Sequence, residues 1–120
     1  MKKRYYTNTH EWVEKLDETT VRVGLTDYAQ EELGDIVYIN LPEEGEEVEV
    51  SESFAEVESV KAVSNVYSPV TGVIKEVNSK LLDNPELVNE DADKAWFVII
   101  EEVTSFETLY TLEEYKKLIQ

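Results

Sequence analysis

The chain of 120 residues contains no cysteine, so it can form neither a disulfide nor a thiol nucleophile. Any redox chemistry must therefore come from an added group. It has a single histidine, His10, which cannot build a His-rich zinc site and finds no cysteine to complete one. Basic residues are scarce: 11 Lys and Arg stand against 27 Asp and Glu, a formal net charge of −16. That balance argues against nucleic-acid phosphate backbones and anionic membrane surfaces as partners. Three prolines and four glycines leave no long flexible linker or low-complexity segment. No stretch approaches the ~18 apolar residues of a membrane span. Met1-Lys2-Lys3-Arg4 begins as a signal peptide does, but Tyr5-Tyr6-Thr7-Asn8-Thr9 supplies no apolar segment after it. With no transit peptide ahead of the folded part, a bacterial-type cytoplasm is the expected setting. There is also no Ser-His-Asp set, no phosphate-binding glycine loop and no calcium-loop spacing among the many carboxylates.

The chain does have pattern. Hydrophobic residues make up 42% of it and alternate with polar ones, which excludes disorder as the source of the charge. Residues 1–120 read as one domain, a length at which folding buries roughly 65% of the unfolded surface. Thr20 to Leu25 alternates as a strand. Thr26 to Gly34 then reads as a short helix, with Thr26 or Asp27 as N-cap, Gln30 three residues after Asp27, and Gly34 at the left-handed end. Asp35 to Leu41 returns to a strand, Pro42-Glu43-Glu44-Gly45 turns, and Val48 and Val50 alternate with Glu47 and Glu49. Val73 to Asn78 is a further strand, and Trp96 to Ile100 is apolar throughout, which predicts burial on both sides. Thr111-Leu112-Glu113-Glu114 is a capping box for a C-terminal helix of about 109–119. Its stripe Leu112, Tyr115, Leu118 and Ile119 is expected to pack on the β-core. Many short strands with turns between them predict a sandwich or barrel.

The centre of this pattern is Val57-Glu58-Ser59-Val60-Lys61-Ala62-Val63-Ser64. Two β-branched runs flank one lysine and read as a hairpin with Lys61 at or near its tip. The turn lacks the usual Asn-Gly or Asp-Gly, so alternation alone carries this reading. A loop tip on a rigid sheet can offer one amine to solvent at no cost to the core. A lysine on a strand is more often a solvated or edge-guarding residue.

Glu58-Ser59-Val60-Lys61-Ala62 resembles the lipoate-attachment motif of lipoyl domains, and the wider chain resembles the H-protein family of the glycine cleavage system. The family pattern has an acidic residue three positions before the lysine, here Glu58, and glycines sixteen before and eleven after, here Gly45 and Gly72. Biotin carriers surround their lysine with methionines, whereas Val60 and Ala62 flank this one. Thr9-His10-Glu11-Trp12-Val13 resembles the family's entry motif, and Gly24 to Leu41 resembles its Gly-Ile-Thr…Ala-Gln…Leu-Gly-Asp-Ile-Val signature. Helices at both ends of the β-core also fit the H protein better than a bare lipoyl domain.

The resemblance covers about residues 5–120. It implies a mainly β barrel-sandwich hybrid with short flanking helices. It implies lipoic acid as an amide on Lys61, and an arm-docking cleft beside Glu11, Leu25 and Leu33, with the Glu11 carboxylate there to pair with a cationic amine. His10 is expected to be structural and Trp12 a packed anchor. The implied partners are a pyridoxal-phosphate glycine decarboxylase, a folate-dependent aminomethyltransferase and a flavin-dependent dihydrolipoyl dehydrogenase. A lipoate ligase or lipoyl/octanoyl transferase would load the lysine. The chain would shuttle the aminomethyl group of glycine between these enzymes, as a non-catalytic carrier. Two departures stand out. Asp91-Ala92-Asp93-Lys94-Ala95-Trp96 replaces the family's Pro-Tyr and Gly-Trp loop, and Asn65 occupies a position that is often Asp. A stand-alone relay donating lipoate to other complexes is the alternative function, and an acidic β-domain with unmodified lysine is a third.

Overall fold

The computed structural model describes residues 3–120. Met1 and Lys2, the start of the basic stretch noted above, lie outside the described residues. The chain begins with three antiparallel strands, β1 (Arg4–Tyr6), β2 (Glu11–Asp17) and β3 (Thr20–Leu25). Helix α1 (Asp27–Leu33) follows, and Thr26 is its N-cap: the Thr26 hydroxyl accepts from the Ala29 N–H at 3.2 Å. Gln30 donates to the Asp27 carboxylate at 3.0 Å, and Gly34 ends the helix with φ +81°. Next come β4 (Ile36–Asn40), β5 (Glu47–Val48), β6 (Ser53–Ser59), β7 (Val63–Tyr67) and β8 (Val70–Val77). Two single-turn helices, α2 (Lys80–Asp83) and α3 (Leu87–Glu90), lead to the long β9 (Trp96–Phe106) and to α4 (Leu112–Leu118).

The strands form two antiparallel sheets, one of six strands in the order β1-β2-β3-β9-β8-β5 and one of three in the order β4-β6-β7. Inward-facing Val13, Val23 and Val98 from the first sheet meet Ile39, Val57 and Val66 from the second in one apolar cluster. Each such side chain contributes about 1.5–3 kcal/mol when fully buried. This is the mainly β barrel-sandwich that the resemblance implied, with helices at its margins. Gly72 is required where β8 meets β9, because a Cβ there would sit 2.6 Å from the Glu101 carbonyl oxygen and 2.7 Å from Ile100. Gly45 turns the chain into β5 with φ +91°, and its N–H donates to the Ile74 carbonyl at 2.7 Å.

Several expectations change in detail. Residues 4–6 form a strand, which their tyrosine-rich sequence did not announce. Between the strands at Val73 and Trp96, where no element was read, the chain contains a helical turn, α3, anchored by the buried Val88. The last strand continues six residues beyond Ile100. Val50 lies past the end of β5, which pairs over two residues only.

The stripe on α4 is only partly covered: Tyr115 is buried, while Leu112 and Leu118 remain 46% and 49% exposed. The cause is that α4 docks against β1, an edge strand, and not on a broad sheet face. Its capping box is present as read, with Thr111 and Glu114 each satisfying the other's N–H.

Candidate functional site

Lys61 lies in the exposed three-residue loop between β6 and β7. Ser59 closes that loop in place of an Asn-Gly turn. Its hydroxyl accepts from the N–H groups of Lys61 at 3.2 Å and Ala62 at 3.1 Å, while its own N–H donates to the Ala62 carbonyl at 2.8 Å. A serine hydroxyl bonding backbone two and three residues on is how a short turn holds without glycine. The Val60 N–H donates to the Asp35 carbonyl at 3.0 Å, tying the loop to the junction between α1 and β4. The apolar neighbours are turned outward: Val60 is 69% and Val63 63% exposed. Glu58 pairs with Val63 on β7 and with Tyr38 on β4, so carboxylate, valine and tyrosine form one exposed row below the lysine. Among the described residues no ion pair engages the Lys61 amine.

A cleft of about 260 Å³ opens between α1 and β7, lined by Thr9, His10, Leu25, Leu33, Ser64 and Asn65 among others. Leu25 and Leu33 are thus walls of one cleft, and Ser64 and Asn65 enter it from the strand that leaves the lysine loop. The Lys61 side chain runs beside this wall: its Cε lies 3.8 Å from where a Cβ on Gly34 would be, next to Leu33.

Glu11 is not on the cleft surface. It is 1% exposed and sits behind the wall, its carboxylate taking bonds from the Thr7 and Thr9 hydroxyls and from the Tyr67 N–H at 3.2 Å. Burial pushes its pKa up to about 7, against the lowering effect of Thr7, Thr9 and Tyr67. The amine partner expected of Glu11 therefore cannot reach it directly. A buried carboxylate must collect donors from its own fold, and these come from residues that the sequence separates.

His10 is on the cleft wall with φ +72°, its Nδ1 2.8 Å from the Tyr115 hydroxyl and its ring centroid 5.0 Å from that of Tyr28. Burial holds its pKa below the ordinary histidine value although Glu32 pulls the other way, so it is chiefly neutral at pH 7. Trp12 is the packed anchor expected, donating from Nε1 to the Ala92 carbonyl at 3.0 Å, with the Arg4 guanidinium 3.9 Å from its ring centroid. The altered loop at 91–96 is held by that same tryptophan bond and by an Arg4–Asp93 ion pair at 3.5 Å.

A glycine cleavage H-protein family model matches residues 4–120. The chain belongs to the glycine cleavage H-protein family. It is 56% identical over 115 residues to a glycine cleavage system H protein of Lachnoclostridium phytofermentans, covering 96% of this chain and 91% of that one. It is 53% identical over 112 residues to a probable glycine cleavage system H protein of Pyrococcus furiosus, covering 93% and 84%. The crystal structure of an H protein from Mycobacterium marinum superposes with a TM-score of 0.88 at 40% identity, over 95% of this chain and 94% of that one.

In this H-protein family member the motif residues divide into two groups. Glu58, Ser59, Val60, Lys61 and Ala62 come together at one hairpin end. Gly45 and Gly72 belong to the six-stranded sheet or its approach and shape the scaffold. Sequence reading missed Asp35 and Asn89, and placed Tyr115 on the packing stripe of α4 without its hydroxyl's reach to His10 and Thr26. The one local signal was the helix-ending Gly34, which marks a turn before the strand at Ile36. A larger hollow of about 520 Å³ near Trp96 contains none of the lysine-loop residues, and its lining mixes Lys80 and Lys94 with Glu76, Glu90 and Asp91.

Proposed function

We propose that this chain carries lipoic acid as an amide on Lys61 and serves as the arm-bearing carrier of the glycine cleavage system. The observation that supports this most is the exposed lysine at a hairpin end fixed by four backbone and hydroxyl hydrogen bonds, beside a cleft that has both apolar and polar walls. The residues fit the group. Val60, Ala62 and Val63 are exposed around the amine, so a lipoate ligase or lipoyl/octanoyl transferase can reach it. Glu58 offers a carboxylate on the same exposed face. Lipoate, when bound there, supplies a ring disulfide that accepts a one-carbon amine and a dithiol that can be reoxidised.

The chain's own residues present and shelter. A rigid loop with a mobile side chain keeps the lysine at high effective concentration before each partner in turn. Leu25 and Leu33 give the cleft apolar walls, while Thr9, Ser64 and Asn65 give it hydrogen-bonding groups. Glu11 supports the Thr9 hydroxyl from behind. No side chain of the site needs to act as acid, base or nucleophile, so we read the chain as a non-catalytic subunit. Its partners are the glycine decarboxylase, the aminomethyltransferase and the dihydrolipoyl dehydrogenase. Residues 1–120 act as one carrier domain, in the cytoplasm of a bacterial-type cell; no helix among the described residues is long and apolar enough to cross a membrane.

Carboxyl-labelled glycine tests this reading. With the pyridoxal-phosphate decarboxylase, lipoylated protein is expected to support release of labelled carbon dioxide, and Lys61→Arg is expected to support none. Lipoylated protein that supported no release yet donated lipoate to other acceptors would favour the relay.

A further inference from the structure

Asn89 lies on α3, well away in sequence from the lysine, yet all the hydrogen-bonding atoms of its side-chain amide are directed at one short segment and the helix before it. Its Oδ1 accepts from the Ile36 N–H at 2.9 Å, and its Nδ2 donates to the Gly34 carbonyl at 3.0 Å and to Gln30 Oε1 at 2.8 Å. Between Gly34 and Ile36 stands Asp35, whose carbonyl accepts the Val60 N–H at 3.0 Å. Val60 immediately precedes Lys61, and the Lys61 side chain lies across Gly34. β4 is an edge strand of the three-stranded sheet, so the outward N–H of Ile36 has no strand partner of its own. Asn89 supplies one, and α3 is in turn fixed in the core by the fully buried Val88.

We propose that Asn89 is a positioning residue for Lys61: it fixes the Gly34–Ile36 turn on which the lysine loop rests. The proposal deepens the carrier reading above and depends on it for its functional meaning. An asparagine suits the task because the same planar amide offers an acceptor to Ile36 and two donors to Gly34 and Gln30. Aspartate at this position would keep the acceptor but set a carboxylate against two oxygens. Alanine would leave the Ile36 N–H without a partner.

Amide hydrogen exchange on the unmodified protein, combined with lipoate-ligase kinetics, tests this. In Asn89→Ala, the Val60 amide is expected to exchange about fivefold faster or more than in the parent, the size of one or two lost hydrogen bonds. The central-strand amides of Val23 and Val98 are expected to keep their parent rates. The KM of the variant as ligase substrate is expected to rise while kcat stays within about twofold, since the lysine is presented less well but reacts alike. Should the alanine variant fail to fold, Asn89→Asp is read in the same way and is expected to shift in the same direction. Unchanged exchange at Val60, acceleration matched by Val23 and Val98, or an unaltered KM would each overturn the proposal. A parent protein that takes no lipoate would instead overturn the carrier reading, and exchange at Val60 would still decide whether Asn89 holds the turn.

Discussion

Burying the Glu11 carboxylate makes stability respond to pH in a particular direction. Its pKa in the fold is about 7, above the 4.5 of an ordinary glutamate, so the folded state binds more protons than the unfolded chain between these values. Its contribution is most favourable below about pH 4.5 and is lost as pH rises through about 7. Glu14 runs the other way: burial would raise its pKa, but Arg22 and Arg4 beside it hold it below the ordinary range. Comparing Glu11→Gln with the parent cancels that opposing effect. The variant is expected to gain stability relative to the parent as pH rises from 4.5 to 7, in chemical denaturation at a series of pH values. A difference that did not vary with pH would mean that Glu11 titrates alike in the folded and unfolded chains, and a difference of opposite slope would mean that it stays ionised in the fold. Glu11 stood out in the sequence through its motif, but its burial did not, because Tyr67 lies 56 residues away and Thr7 lies outside the motif. Ser59 governs the lysine loop in the same local way. Ser59→Ala removes the acceptor of two loop N–H groups and is expected to cost about 1 kcal/mol, with faster amide exchange confined to Lys61 and Ala62.

Elements were legible where local chemistry specified them. α1 has a hydroxyl cap, a side-chain bond in its first turn and a glycine at its end, all within nine residues. The β6–β7 hairpin was legible from alternation, although Ser59, not a glycine turn, closes it. α3 was not legible, because a single turn held by one buried valine and one asparagine carries no helical period. The α4 stripe was read correctly as amphipathic, yet its coverage depends on what lies opposite, and no broad sheet face does. That docking rests on Tyr115, whose ring stacks on Tyr6 at 5.1 Å and whose hydroxyl lies 2.8 Å from Thr26 Oγ1 and 2.8 Å from His10 Nδ1. Tyr115→Phe is therefore expected to cost about 1–2 kcal/mol and to perturb the His10 ring resonances, while Leu118→Ala is expected to change melting little. Gly72→Ala is the harsher change. Its Cβ meets backbone as well as a side chain, so thermal denaturation is expected to show a loss of about 2 kcal/mol or more.

For the molecule as a whole, the sequence was enough for a mainly β fold, while the division into sheets of six and three strands was not. That division depends on β9 pairing with both β3 and β8, contacts that join distant parts of the chain. The surface charge, by contrast, is purely compositional. At −16 it should speed encounters with basic docking patches, so association with the decarboxylase is expected to slow as ionic strength rises, read as kon in stopped-flow mixing. A kon indifferent to salt would show that the acidic surface plays no part in that encounter. Amide formation on Lys61 removes one positive charge, taking −16 to −17, and adds one lipoyl mass. The most direct measurement is the intact mass of the protein after incubation with lipoate, ATP and a lipoate ligase, with Lys61→Arg alongside. A single lipoyl adduct on the parent and none on the variant is the predicted result. Folded parent protein that gained no adduct, or an adduct that persisted in Lys61→Arg, would contradict the assignment of Lys61 as the carrier lysine.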